Sequence, residues 1–123
     1  MKQSTRQAKN AIKWIDELIN GNRKQGKSAL GNAEIGFCCL GVGCDVLNVE
    51  YNPEDGTSAE LEFEVGLRDD EGRLFGAEFY NESFLININD NTTAGFKRIG
   101  KFMLKHPEAV FLPEVAKKIK EIS

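Results

Sequence analysis

The most regular pattern in the chain lies between residues 4 and 20, where apolar side chains recur at helical spacing. This spacing predicts an amphipathic helix over 4–20, with a capping box formed by Ser4 and Gln7 and a stop at Gly21. Its apolar face needs a cover, so the remainder of a 123-residue chain has to supply one core and one domain, 1–123. The residues expected on that face are Ala8, Ala11, Ile12, Ile15, Leu18 and Ile19.

A second apolar run, 37–48, reads FCCLGVGCDVLN. A run this short fits either a buried helix or a buried strand. Gly41 and Gly43 favour a buried helix that packs closely against another backbone, because glycine otherwise weakens a helix interior.

The cysteines of this run are Cys38, Cys39 and Cys44. An odd cluster is a poor disulfide framework, and its spacing with His106 does not suit a zinc site. We therefore interpret the cysteines as buried small side chains and predict no metal, no cofactor and no catalytic residue.

The middle of the chain alternates apolar and acidic residues over 59–67, which predicts a half-buried strand. A turn at 69–72 and a returning strand over 74–80 complete a predicted hairpin. The pattern over 83–90 predicts a third strand, with a one-turn helix as the alternative.

Two helices are predicted at the C-terminal end. The first is capped by Thr92 or Thr93 and ends before Pro107, and the second begins at Pro113. The predicted inward residues are Phe96, Ile99, Phe102 and Met103 in the first helix and Val115, Ile119 and Ile122 in the second. The fold class is a small α+β domain with an amphipathic N-terminal helix, a buried Cys-rich helix, an antiparallel β-hairpin or small sheet, and C-terminal helices.

The net charge of −3 is unevenly distributed. Residues 50–82 carry −9, whereas 1–49 and 83–123 each carry +3. An acidic middle argues against duplex DNA as a partner but allows a local basic pocket for a small anion. The chain has no apolar stretch long enough for a bilayer and no secretory signal, so we expect a cytoplasmic protein and no membrane partner.

The segments KQGKSAL, FCCLGVGCDV, VGLRDDEGRL and LININDNTTAGFKRIGKFM together resemble a widespread family of small phage and prophage accessory proteins. The resemblance covers 12–104 and is tightest at 24–30 and 37–46. Isoleucine stands at 88 where the family has leucine in Leu-Asn-Asp, and Gly100 stands where alanine is usual. The resemblance implies a phage origin, an accessory role and the cytoplasm of an infected bacterium; it implies no reaction.

A glycine-containing loop carries Arg23, Lys24, Gln25 and Lys27. Its three cations, one amide and flexible backbone N–H groups together suit a phosphate or carboxylate. The alternative is an ordinary polar surface loop.

A polar cluster over 87–93 precedes the predicted helix. Its side chains suit turn formation and capping, or recognition of a base or ribose with a phosphate at the helix N-terminus. The candidate ligand-binding residues are therefore Lys24, Gln25, Lys27, Asn87, Asn89, Asp90, Phe96 and Arg98.

These residues lead to the hypothesis of a non-enzymatic phage protein that sequesters a small anionic ligand. A nucleotide immune signal is the favoured ligand, for example a cyclic nucleotide or a cyclic ADP-ribose derivative. Such signals belong to bacterial defence systems such as Thoeris or CBASS. The site could lie at a homo-oligomer interface. One alternative is an inhibitor that binds a host enzyme through the acidic hairpin. Another is a DNA-binding regulator that uses Lys97, Arg98, Lys101 and Lys105.

Overall fold

The computed structural model describes residues 2–27, 29–68, 73–75, 82–85, 88–89 and 95–123, with the backbone alone described for 73–75 and 82–84. This part of the chain is α+β, as the sequence predicts. The helices are α1 (Gln3–Asn20), α2 (Cys39–Val46), α3 (Ala59–Val65), α4 (Phe96–Lys105) and α5 (Pro113–Ile122), and a 3₁₀ turn covers Pro107–Ala109. The strands are β1 (Gly31–Asn32), β2 (Gly36–Phe37), β3 (Arg73–Phe75) and β4 (Glu82–Phe84).

Helix α1 confirms the predicted amphipathic helix and packs against α2, α3, α4 and α5. At its centre lies Trp14, a buried residue that the pattern did not single out. The Trp14 indole N–H donates to the Cys39 carbonyl at 2.9 Å, and its ring meets Phe111 edge-on at 6.2 Å. The predicted capping box is wrong, because the N-cap position falls at Lys2 and carries no side-chain cap.

The apolar run forms α2, as predicted, and its cysteines are buried thiols that are not joined in a disulfide bond. Gly41 lies against the backbone of Leu30, where a Cβ atom would collide with the carbonyl oxygen. Gly43 instead faces the side chains of Leu61 and Trp14. The predicted backbone contact is therefore confirmed at Gly41 alone.

The strand predicted over 59–67 is wrong, because Ala59–Val65 is helix α3. The Ser58 hydroxyl accepts a hydrogen bond from the Leu61 N–H at 3.1 Å, and Gly66 ends the helix at φ +68°. Alternating apolar residues also supply a pair at i and i+4, and this pair, Leu61 and Val65, faces the core.

Among the described residues, the β-strands form two antiparallel pairs. Strand β1 pairs with β2, and β3 pairs with β4 in a register that aligns Arg73 with Phe84. The sequence predicted that the returning strand pairs with 59–67, but its described part, β3, pairs with β4 instead. The predicted turn 69–72 and most of 74–80 lie outside the described residues.

Within the segment 83–90, the described residues combine both predicted alternatives. Strand β4 ends at Phe84, and Leu85, Ile88 and Asn89 are helical and buried. Their spacing at i, i+3 and i+4 is that of one helix face, which explains why all three are covered.

Helix α4 begins one residue after its N-cap, Gly95, so the predicted caps Thr92 and Thr93 are wrong. Its buried residues include Ile99, Phe102 and Met103, as predicted, and Gly100 lets it approach α1 closely. Helix α5 begins at Pro113, as predicted.

The predicted inward position of Ile122 is wrong, because 47% of its surface is exposed. Among the described residues, no helix has the length and apolarity needed to cross a bilayer.

Candidate functional site

The segment 23–27, which we call the basic loop, is held by backbone hydrogen bonds to β2. The Gly26 N–H donates to the Phe37 carbonyl at 2.7 Å, and the Phe37 N–H donates to the Lys24 carbonyl at 2.8 Å. These bonds form an isolated parallel bridge between Gln25 and Phe37 of β2. The loop backbone is therefore held in one position beside the N-terminus of α2.

Arg23 anchors the start of the basic loop. Its guanidinium pairs with Glu17 at 2.5 Å and Asp45 at 2.6 Å, and it lies 5.7 Å from the centre of the Phe37 ring. Burial alone would lower the pKa of Arg23, but hydrogen bonding to Asp45 and the charge of Glu17 outweigh it, so the pKa is raised. The positive charge of Arg23 is thus engaged within the protein.

A buried amide joins the basic loop to the segment before α4. Asn89 is fully buried; its Oδ1 accepts from Gln25 Nε2 at 2.8 Å, and its Nδ2 donates to the Gly26 carbonyl at 2.8 Å. We call these two bonds the amide latch. The latch connects residues that are 63 and 64 positions apart in the sequence.

The basic loop also lies near the beginning of α4. A Cβ atom added at Gly95 would be 3.9 Å from Gln25 Oε1. The first helical residue, Phe96, is half-buried and packs against the core, while the Arg98 side chain is exposed. The N–H groups of the first turn of any helix point away from its C-terminus and attract anions.

The structure thus brings some of the predicted site residues together. Gln25 and Asn89 touch, and the loop that carries Lys24 and Lys27, both exposed, runs beside Gly95. Both polar groups of the Asn89 side chain form hydrogen bonds in the latch, so we interpret Asn89 as a residue that supports the loop. The other two predicted residues, Asn87 and Asp90, lie outside the described residues.

The three cysteines lie in the core. Desolvation raises the pKa of the Cys44 thiol to about 11, and a hydrogen bond with Ser58 only partly opposes this shift. A nucleophilic cysteine needs the opposite shift, so Cys44 is a protonated thiol at neutral pH.

The sequence interpretation missed a surface groove between the loop after α2 and helix α3. Its volume is about 630 Å³, and Phe63 forms part of its wall with 51% of its surface exposed. Because the strand interpretation placed Phe63 on the inner face of a sheet, the exposure of this ring was not expected.

The described residues form a small α+β domain in which a basic loop is held by a buried amide. The chain belongs to a family described as a domain of unknown function, DUF8296, whose model matches residues 1–65. The match includes the basic loop and ends before Asn89, its latch partner. No curated protein and no solved structure matches the chain.

Proposed function

We propose that this protein is a phage accessory protein that binds and sequesters a small anionic ligand of the nucleotide class. The observation that carries the proposal is the amide latch, in which Gln25 and Gly26 hold Asn89 at 2.8 Å in both bonds. The latch fixes a loop with two exposed lysines beside the beginning of a helix.

A fixed loop favours tight binding because little conformational entropy is lost when a ligand arrives. Lys24 and Lys27 supply mobile cations on a backbone that is already ordered through Phe37. The start of α4 supplies N–H groups for a phosphate, and the half-buried ring of Phe96 supplies an aromatic surface for a base.

Sequestration requires affinity without chemistry. A protein of this kind removes a signal from solution in proportion to its own concentration. Cyclic dinucleotides, cyclic trinucleotides and cyclic ADP-ribose isomers combine phosphate charge with a stackable base, so they are the ligands to test first.

The test is calorimetric titration of this ligand panel into the protein and two matched variants. We expect Lys24→Gln with Lys27→Gln to weaken binding about tenfold or more, because each charge-assisted contact to phosphate contributes about 1 kcal/mol or more. The control, Lys9→Gln with Lys13→Gln, removes the same charge from exposed positions of α1 and should bind like the parent protein.

Two results would contradict the proposal. The first is the absence of binding across the whole panel at ligand concentrations in the millimolar range. The second is equal weakening in both variants, which would indicate attraction to overall charge. Salt-dependent binding to duplex DNA that is lost in Lys97→Gln with Lys101→Gln would instead support the regulator hypothesis.

A further inference from the structure

The groove beside α3 has a mixed acidic and apolar lining. It lies between the segment 47–50, which follows α2, and the outer side of α3, and its volume of about 630 Å³ suits one or two side chains. The residues on which the inference depends are the apolar Leu47, Val49 and Phe63 and the acidic Glu50, Glu60 and Glu64.

Phe63 is the most informative residue of the groove. Leu61 and Val65 are buried and define the side of α3 that packs on the core. Phe63 lies on another side of this helix and is 51% exposed. The helix backbone at this position is tied to α1, since the Phe63 carbonyl accepts a hydrogen bond from the Gln7 side chain at 2.6 Å. An exposed aromatic ring on an ordered helix is a common feature of recognition surfaces, and its face attracts a guanidinium or ammonium group.

The segment of the chain that lines the groove carries charge of one sign. Residues 45–67 contain seven acidic residues and no lysine, arginine or histidine. Asp45 of this segment pairs with Arg23, whereas Glu50 and Glu60 are exposed at the groove. Glu64 is half-buried and accepts a hydrogen bond from Asn10 at 3.4 Å, which orients its carboxylate.

We infer that this groove docks a basic peptide segment of a partner protein, with an arginine or lysine side chain against Phe63 and its charge between Glu50 and Glu60. The three features select this occupant together. The carboxylates repel an anionic ligand, the apolar wall accepts the methylene stem of a long cationic side chain, and the volume excludes a folded domain. The groove has an acidic and apolar lining, whereas the basic loop carries exposed lysines, so the two surfaces suit ligands of opposite charge.

The test uses the full chain and a fluorescein-labelled peptide of alternating arginine and serine with a central leucine, followed by fluorescence anisotropy. We expect saturable binding to the parent protein. In the double variant Glu50→Gln with Glu60→Gln the affinity should fall roughly tenfold, because each lost exposed ion pair weakens it about threefold and the two factors multiply. The control is Glu34→Gln with Glu114→Gln, which removes equal charge from exposed positions outside the groove and should leave the affinity unchanged.

A second pair of variants tests the aromatic wall. We expect Phe63→Ala to weaken peptide binding about fivefold, because a cation over an exposed ring contributes close to 1 kcal/mol. Ile35→Ala removes a similarly exposed apolar side chain, 57% accessible, outside the groove and should have no effect. Circular dichroism verifies that each variant keeps the parent's helical content.

Three results would overturn the inference. One is a lack of saturable binding at low salt. Another is equal weakening by the groove and control charge variants, which would reduce the effect to overall charge. The third is unchanged affinity in Phe63→Ala together with Glu50→Gln and Glu60→Gln, which would place the peptide elsewhere on the protein.

Discussion

Asn89 illustrates how much a single residue's role depends on burial. The sequence identified it as a candidate ligand-binding residue because polar side chains cluster before α4. The structure places it at zero exposure, where an amide without partners would cost about 1–3 kcal/mol. Gln25 and Gly26 satisfy the Asn89 amide, and no sequence spacing could have paired residues so far apart.

The residue-scale prediction concerns Cys44 and alkaline pH. Its pKa is about 11 in the folded protein and 9.0 as the reference for an exposed thiol. Above pH 9 the unfolded chain loses this proton first, so the free energy of unfolding should fall as pH rises from 9 to about 11. The contribution is about 2–3 kcal/mol over that window and is fully present below it.

Urea unfolding across this pH range measures the effect. Cys44→Ser removes the titrating thiol at nearly constant volume, so its stability should decline less steeply with pH than that of the parent protein. Tyr51, whose pKa is raised chiefly by burial and to a smaller extent by the charges of Asp45 and Cys44, remains in both proteins. Equal slopes in the two proteins would show that Cys44 is not the responsible group.

At the scale of elements, the periodic helices were predictable and α3 was not. Helices α1, α4 and α5 repeat apolar residues at a helical period, and this pattern has no strand equivalent. The segment 59–67 satisfies both periods, because its alternation also contains the pair Leu61 and Val65. The Ser58 hydroxyl caps the N-terminus of the helix, and Gly66 ends it in a left-handed conformation. Both residue types favour helix ends, so the sequence contained the evidence for a helix.

Helix α2 approaches the backbone of Leu30 closely at Gly41. Gly41→Ala should destabilise the protein by about 3 kcal/mol, because the added methyl group would overlap the Leu30 carbonyl and push α2 from the β1 segment. The gain in helix propensity, about 1 kcal/mol, does not compensate. Chemical denaturation measures the loss.

Gly56→Ala is the matched control for this substitution. An added Cβ atom there meets no other atom within 4 Å, so the change in stability should stay below about 0.5 kcal/mol. If Gly41→Ala were as harmless as Gly56→Ala, the packing of α2 against Leu30 would be loose enough to accept a methyl group.

Helix α1 joins the two ends of the chain. Its apolar face is covered by α2 and α3 from the matched family segment and by α4 and α5 from beyond it. Neither half of the chain alone can therefore bury that face. The candidate site has the same division, since the basic loop and its latch partner Asn89 lie in different halves.

The whole-molecule prediction follows from this division. A fragment containing residues 1–66 should fail to unfold cooperatively, because it retains α1 without the α4 and α5 surfaces that cover Ile15 and Leu18. Thermal circular dichroism should give a broad, low-amplitude change for the fragment and one sharp transition for the full chain. A sharp transition in the fragment would mean that 1–66 folds independently.

Trp14 gives the protein a built-in optical reporter. It is the single tryptophan of the chain, and its indole touches Cys39 of α2 and Phe111 ahead of α5 from a fully buried position. Any separation of these elements admits water to the indole and shifts its fluorescence emission to longer wavelength. The emission wavelength of Trp14 therefore reports, without an added label, whether the core is intact where the two ends of the chain meet.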